Sequence, residues 1–197
     1  FQEAVEAGDE VVCITLSSKL SGCYQSAVIA AEGLPVVLVD SLSVTVGQRI
    51  LVELALQLRD QGLSAQEIGA VLEQEKPHIR LIALLENGEV TILGKARGSK
   101  NGNNMLMSLV EKSGGINFEK PFSLAYSGLS DMLLQKYISD SAHLYQGKAV
   151  HLPVARIGST IGTHAGPGAV AVAFFPITKF LQPYEPGLPA AAGSPGS

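Results

Sequence analysis

Leu16-Ser17-Ser18-Lys19-Leu20-Ser21-Gly22-Cys23-Tyr24-Gln25-Ser26-Ala27 separates two stretches of different character. Before it, Val11-Val12-Cys13-Ile14-Thr15-Leu16 is a short apolar run of the kind that forms a buried strand. After it, Ala27-Val28-Ile29-Ala30-Ala31 is small and apolar and predicts a helix. Three serines and a glycine therefore fall at a strand-to-helix turn. Such a turn points free backbone N–H groups and the positive end of the helix dipole at one spot. An anion is stabilised there, and serine hydroxyls add donors. The plainer reading of Ser21 is a helix cap.

Working outward, Val36-Val37-Leu38-Val39 predicts a second buried strand ending at Asp40-Ser41. A strand, a helix and a strand joined by short connections make a parallel βαβ unit. In such sheets ligands gather at the carboxyl ends of the strands, where Ser17 to Gly22 and Asp40 to Ser43 both fall. Between Gln48 and Asp60 the apolar residues Ile50, Leu51, Leu54, Ala55 and Leu58 recur at helical spacing, with Gly62 as the stop. Ser64-Ala65-Gln66-Glu67 is a capping box that opens the next helix. The runs Ile79 to Leu85 and Glu89 to Leu93 flank Asn87-Gly88, a strong hairpin signal.

The 197 residues suit one large domain or two small ones. With 46% hydrophobic and 16% charged residues, the composition is that of a folded, core-rich chain, and a net charge of -4 gives no reason to expect nucleic acid as a partner. Cys13 and Cys23 make neither a disulfide framework nor a metal motif; Cys13 reads as a small core residue. No apolar run reaches membrane-spanning length and no signal peptide is visible, so the expectation is a cytoplasmic protein without stable membrane insertion.

In the second half, Lys95-Ala96-Arg97-Gly98-Ser99-Lys100 brings three cations and a glycine together just before a predicted helix, Asn104 to Lys112. The turn suits a phosphate, or is simply a solvated basic turn. Phe122 to Tyr126 and Ala149 to Val154 predict strands around a helix from Asp131 to Ser141, a second α/β unit. Gly158 to Gly168 reads as a glycine-rich loop holding Ser159, Thr160, Thr163, His164 and Pro167. An apolar strand, Ala169 to Phe175, follows. From Gln182 onward the chain is rich in Pro, Gly and Ala, which predicts disorder.

Three of these stretches, in this order, resemble the DegV family of bacterial fatty-acid-binding proteins. They are Ser17 to Ala27, Glu86-Asn87-Gly88-Glu89-Val90 leading to Lys95-Ala96-Arg97-Gly98, and Ile161-Gly162-Thr163-His164-Ala165-Gly166-Pro167-Gly168-Ala169. The resemblance covers most of residues 10 to 175. It implies an α/β fold of two domains with a ligand tunnel between them. Here these would be residues 1–80, with part of the first domain missing, and 81–176, followed by a tail from 177 to 197. The chain starts at Phe1 and reads as a fragment of something longer. The family has a further N-terminal part whose Thr-Ser-rich loop is implied to supply a second hydroxyl to the ligand. Between Ile79 and the Glu-Asn-Gly turn the family also carries several tens of residues, with a Leu-x-Tyr-Leu segment and a Gly-Gly-Arg turn. These are absent, either by deletion or because two stretches are joined across a gap.

In function, the resemblance implies a non-catalytic subunit that binds a long-chain fatty acid and needs no cofactor. It would present the carboxylate to an ATP-dependent fatty acid kinase subunit, which makes the acyl phosphate. Ser21 and Ser18, with Ser17 and Gly22, would hold the carboxylate. Arg97, His164 and Thr163 would face the phosphate and the partner at the mouth. The alternative is a serine hydrolase acting on an acyl ester through Ser21, His164 and Asp40. It lacks the Gly-x-Ser-x-Gly elbow. A nucleotide-binding enzyme lacks both Gly-x-Gly-x-x-Gly and Gly-x-x-x-x-Gly-Lys.

Overall fold

The computed structural model describes residues 1–84, 89–92, 95–97, 102–145, 147 and 152–177, giving the backbone alone for 89–92 and 95–97. A short helix α1 (Gln2–Glu6) leads into strand β1 (Val11–Thr15), helix α2 (Cys23–Ala30) and strand β2 (Val36–Asp40). β1 and β2 pair in parallel, Val11 against Val36 through Thr15 against Asp40, as the βαβ pattern predicts. Helix α3 (Val46–Asp60) follows and ends before Gly62, whose φ of 88° closes the turn. Helix α4 (Ala65–Glu75) opens with the expected capping box: Ser64 Oγ accepts from the Glu67 N–H, and the Glu67 carboxylate accepts from the Ser64 N–H.

The remaining strands form one six-stranded mixed sheet. They are β3 (Arg80–Leu84), β4 (Glu89–Ile92), β5 (Lys95–Arg97), β6 (Ser123–Tyr126), β7 (Val154–Arg156) and β8 (Val170–Phe174), in the order β5-β4-β3-β8-β6-β7. β3 and β4 pair antiparallel, as the hairpin signal predicts; the Asn87-Gly88 turn itself lies outside the described residues. Helix α5 (Gly102–Lys112) precedes β6, and helix α6 (Met132–Asp140) joins β6 to β7, which run parallel as the second α/β unit. Of the strand predicted over Ala149 to Val154, Val154 opens β7, Leu152 and Pro153 precede it, and Ala149 to His151 lie outside the described residues. The tail from Thr178 onward is also outside them.

Two expectations are overturned. Lys95 to Arg97, read as part of a basic turn, is strand β5, antiparallel to β4. Ser159 to Ala165, read as part of a loop, is helix α7. Gly158 takes the extended N-cap conformation and Gly166, at φ 80°, ends the helix. Glycine content suggested a loop, but two of the glycines serve as the start and stop signals of a short helix.

Alternation along the strands gives the large sheet two different faces. Ile82, Leu124, Val170, Val172 and Phe174 point to one side and pack with Leu106 and Val110 of α5 and Leu134 and Tyr137 of α6. The other side carries Ala125, Ala171 and Ala173, and α3 lies on it through Ile50, Leu51 and Leu54. Val39, Ile68 and Leu72 join the same cluster, so α3 is packed between the small sheet and the large one.

Candidate functional site

The serine turn and the loop after β2 are knitted together at the carboxyl ends of β1 and β2. The Ser17 N–H donates to Ser43 O at 2.8 Å, and the Ser41 N–H donates to Thr15 O at 3.2 Å. Ser41 Oγ donates to Ser43 O and accepts from the Ser43 N–H, both at 3.1 Å. Ser17, Ser41 and Ser43 are buried. Thr15 Oγ1 is buried with no hydrogen-bond partner among the described residues. Two residues of the loop, Leu42 and Thr45, hold positive φ values of 52° and 51°. For a β-branched residue such as Thr45 that is an outlier.

The three serines of the turn differ in what they have left to offer. Ser17 Oγ accepts from the Lys19 N–H at 3.3 Å. Ser18 is exposed, but its hydroxyl donates to Asp40 Oδ2 at 2.5 Å and its N–H to Asp40 Oδ1 at 3.1 Å. The Leu42 N–H also donates to Oδ1, at 3.1 Å. Burial pushes the Asp40 carboxyl up. The hydrogen bonds from Ser18 and Leu42 and the charge of Lys76 outweigh it and hold the group below its usual value. Ser21 lies one residue before the N-cap, Gly22, and α2 opens at Cys23. Its Oγ accepts from the Cys23 N–H at 3.2 Å and donates to Cys23 Sγ at 3.1 Å. A thiol sulfur is a weak acceptor, so that hydroxyl proton can be re-aimed at little cost.

Beside this turn lies an apolar groove of about 230 Å³. Val44 and Thr45 of the loop form one side, and Leu81 and Ala83 of β3 with Ala169 and Ala171 form the floor. Ile157, Ile161, His164 and Ala165 complete it. Ile161, His164 and Ala165 are spaced i, i+3, i+4 and so share one face of α7. The turn after α7 is clamped by Ser127, which is buried at the end of β6. Its hydroxyl donates to Gly166 O and accepts from the Ala169 N–H, and its own N–H donates to Ala169 O. That clamp fixes where α7, and hence His164, stands over the sheet.

The structure thus brings His164 to the groove. Thr163 turns away: it is exposed and its Oγ1 donates to Ser159 O at 2.8 Å. Arg97 ends β5, paired with Glu89, and its side chain lies outside the described residues. The hydrolase relay is not formed: Asp40 is bonded to Ser18 and Leu42 and not to His164, and Ser21 is bonded to Cys23 and not to His164. Among the described residues no cluster of His, Cys, Asp and Glu is placed to hold a metal, and no helix is long and apolar enough to cross a membrane. The sequence reading missed the groove's lining and the Ser127 clamp. Alternating Ala with larger residues in β3 and β8 was the available signal for the groove; nothing local to Ser127 signals its role.

The model of the DegV family, described as uncharacterised protein, matches residues 1–85 and 77–177, two pieces that overlap at β3. A DegV domain-containing protein of Clostridium acetobutylicum is 29% identical in an alignment of 211 residues that takes in 88% of this chain and 72% of the relative. That alignment is longer than the whole chain, so the relative carries several tens of residues without a counterpart here. A DegV domain-containing protein of Caldanaerobacter subterraneus is 27% identical over 88% of this chain and 73% of its own. Among solved structures, a stearic-acid-binding protein from Eubacterium ventriosum superposes with a TM-score of 0.69 at 17% identity, covering 88% of this chain and 72% of that one. A DegV family protein from Eubacterium eligens, solved loaded with heptadecanoic acid, gives a TM-score of 0.65 at 19% identity, covering 88% and 75%. At such identities the structures speak for the fold. The family match, running through the serine turn, the large sheet and the His164 turn alike, speaks for descent: this chain belongs to the DegV family.

Proposed function

We propose that this protein binds a fatty acid with its acyl chain in the apolar groove and its carboxylate at the Ser17–Gly22 turn. We further propose that it is a non-catalytic subunit presenting a long-chain acid to an ATP-dependent kinase for conversion to the acyl phosphate. In this reading residues 1–80 and 81–176 act as the two domains that meet at the groove. One observation carries it. The loop whose Val44 and Thr45 wall the groove is the loop that Ser17 hydrogen-bonds, so an apolar slot and a hydroxyl-rich turn are neighbours. That juxtaposition suits an amphiphile with one anionic end.

Chain burial supplies affinity at about 0.8 kcal/mol per methylene, and the turn supplies orientation. Ser21 is the favoured carboxylate donor. The Ser18 hydroxyl is spent on Asp40, whose negative charge also repels a second carboxylate beside it. His164 and Arg97 act on transfer rather than on binding, by meeting the phosphoryl group and the partner.

The test is extraction and gas chromatography of the purified protein, followed by calorimetry on Ser21→Ala. A fatty acid near one per chain is expected. A hydrogen bond to a charged group is worth about 1.5–3 kcal/mol, so Ser21→Ala should weaken binding by about ten- to a hundredfold. Wild-type affinity in the folded variant would return Ser21 to helix capping. Mixed with the kinase subunit and ATP, His164→Ala should keep most of its lipid affinity and lose acyl-phosphate formation, trapped with hydroxylamine. A parallel loss of both would move His164 into the lipid site.

A further inference from the structure

We infer that Asp40 sets the head-group charge this site accepts: a monoanionic carboxylate is favoured over a dianionic phosphate on the same chain. A phosphorylated amphiphile is then held less tightly than the free acid it is made from. The inference rests on the fatty-acid reading above and adds the residue that selects the head group.

The serine turn is tight, and it puts Asp40 close to the carboxylate donor. The Leu20 and Ser21 N–H groups both donate to Ser17 O, at 2.9 and 3.2 Å. Side chains three residues apart in such a turn stand about 5–6 Å from one another, so Ser18 is beside Ser21. Asp40 grips Ser18 through both carboxylate oxygens, Oδ1 from the N–H and Oδ2 from the hydroxyl. An anion on the Ser21 donor therefore lies within about 10 Å of the Asp40 carboxylate, about one Debye length at 0.1 M salt.

The Asp40 charge stands largely uncancelled. Against the upward push of burial, the donors of Ser18 and Leu42 and the charge of Lys76 hold its carboxyl below the usual value, so it is ionised at neutral pH. Among the described residues no ion pair includes Asp40. Lys76 is itself paired with Glu73 at 2.6 Å. Lys19, the cation of the turn, is exposed, where solvent screens it. One negative charge on a ligand is repaid by the hydroxyl and N–H groups of the turn. A second charge finds the same few donors and meets the repulsion of Asp40 again, at a cost of about fivefold in affinity at this range. A fatty acid carries one charge at neutral pH; a phosphate monoester carries its second above about pH 6.

The experiment is calorimetry of the delipidated protein with dodecanoate and dodecyl phosphate at neutral to slightly basic pH, both held below their aggregation limits. The wild type should bind dodecanoate about fivefold more tightly than dodecyl phosphate. Asp40→Asn should move that ratio about fivefold toward the phosphate. Ser18→Ala, which removes a hydrogen bond and keeps the charge, should leave the ratio within about twofold whatever affinity it loses.

A purely structural role for Asp40 makes a different pattern: Asp40→Asn weakens both ligands alike and the ratio stays in place, which overturns the inference. So does a wild type that binds the phosphate as tightly as the acid, with the fatty-acid reading left intact. No binding of either ligand overturns both. If Asp40→Asn does not fold, salt carries the test on the wild type. From about 0.01 M to 1 M the Debye length falls from about 30 to 3 Å, and the preference for the acid should shrink with it. A preference unmoved by salt assigns head-group selection to something other than the Asp40 charge.

Discussion

The two sheets reach the candidate site held together in different ways. At the carboxyl end of β1 and β2, polar groups do the holding: Ser41 and Ser17 meet Ser43, and Ser18 and Leu42 meet Asp40. In the large sheet, one face is filled by Ile82, Leu124, Val172 and Phe174, and the other is lined by alanines that leave a slot. Hydrogen bonds give directed donors and a charge that titrates. Packing gives apolar surface and, where it is incomplete, room. An amphiphile needs both, and they meet at Val44 and Thr45.

The largest expected effect tests the packing side. Ile82 is wholly buried, and Ile82→Ala should cost about 2–5 kcal/mol in urea unfolding. Leu81, its neighbour on the groove face, is only half-buried, and Leu81→Ala should cost less than half as much. Equal losses would mean that the two faces are packed alike.

Next comes the junction. A Cβ on Gly47 would collide with Ser43 Oγ, since the first turn of α3 lies against the loop. Gly47→Ala should cost about 1–3 kcal/mol through overpacking and should also weaken fatty-acid binding, because the loop carries Val44 and Thr45. Gly69→Ala, whose Cβ would meet Val37 between α4 and β2, is the control. It should lose stability and keep affinity in the protein that remains folded. An equal drop in affinity for both would detach the loop from the site.

The smallest effect is the most specific. Asp40 is held below its usual value in the folded protein, so its contribution is present above the unfolded carboxylate value of about 3.9 and is lost as pH falls through the folded one. Ser18→Ala removes one donor to that charge. Because Ser18 is exposed, the loss should be about 1 kcal/mol at pH 7, and it should shrink on acidification below about pH 4. A gap of the same size at pH 2.5 and pH 7 would show that the small sheet's end does not depend on the Asp40 charge. Ile82→Ala measured over the same range should show no such pH dependence.

Much of the architecture was legible in the chain because it is local. Val11–Thr15 and Val36–Asp40 announce buried strands through apolar runs, Ser64 and Glu67 announce a helix start, and Asn87-Gly88 announces β3 and β4. Each signal is carried by residues that contact one another within a few positions. The misreading of Ser159–Ala165 has a local cause too, since the same glycines that break structure also mark its ends.

By itself, then, the sequence determined most of the elements, though not β5 or α7, together with the serine turn at the end of β1 and, through three ordered motifs, the family. Only the tertiary structure decided how the serines divide their work. Asp40 is more than twenty positions from Ser18 in the chain, and its claim on that hydroxyl follows from the parallel pairing of β1 and β2. The groove is likewise non-local. Val44, Ala83, Ile161 and Ala171 are scattered over most of the chain, and the space between them exists because α3 covers one part of the alanine face while α7, pinned by Ser127, stands over another. Hydrogen-bond partners and empty volume are properties of chain segments brought together, and no local pattern encodes them.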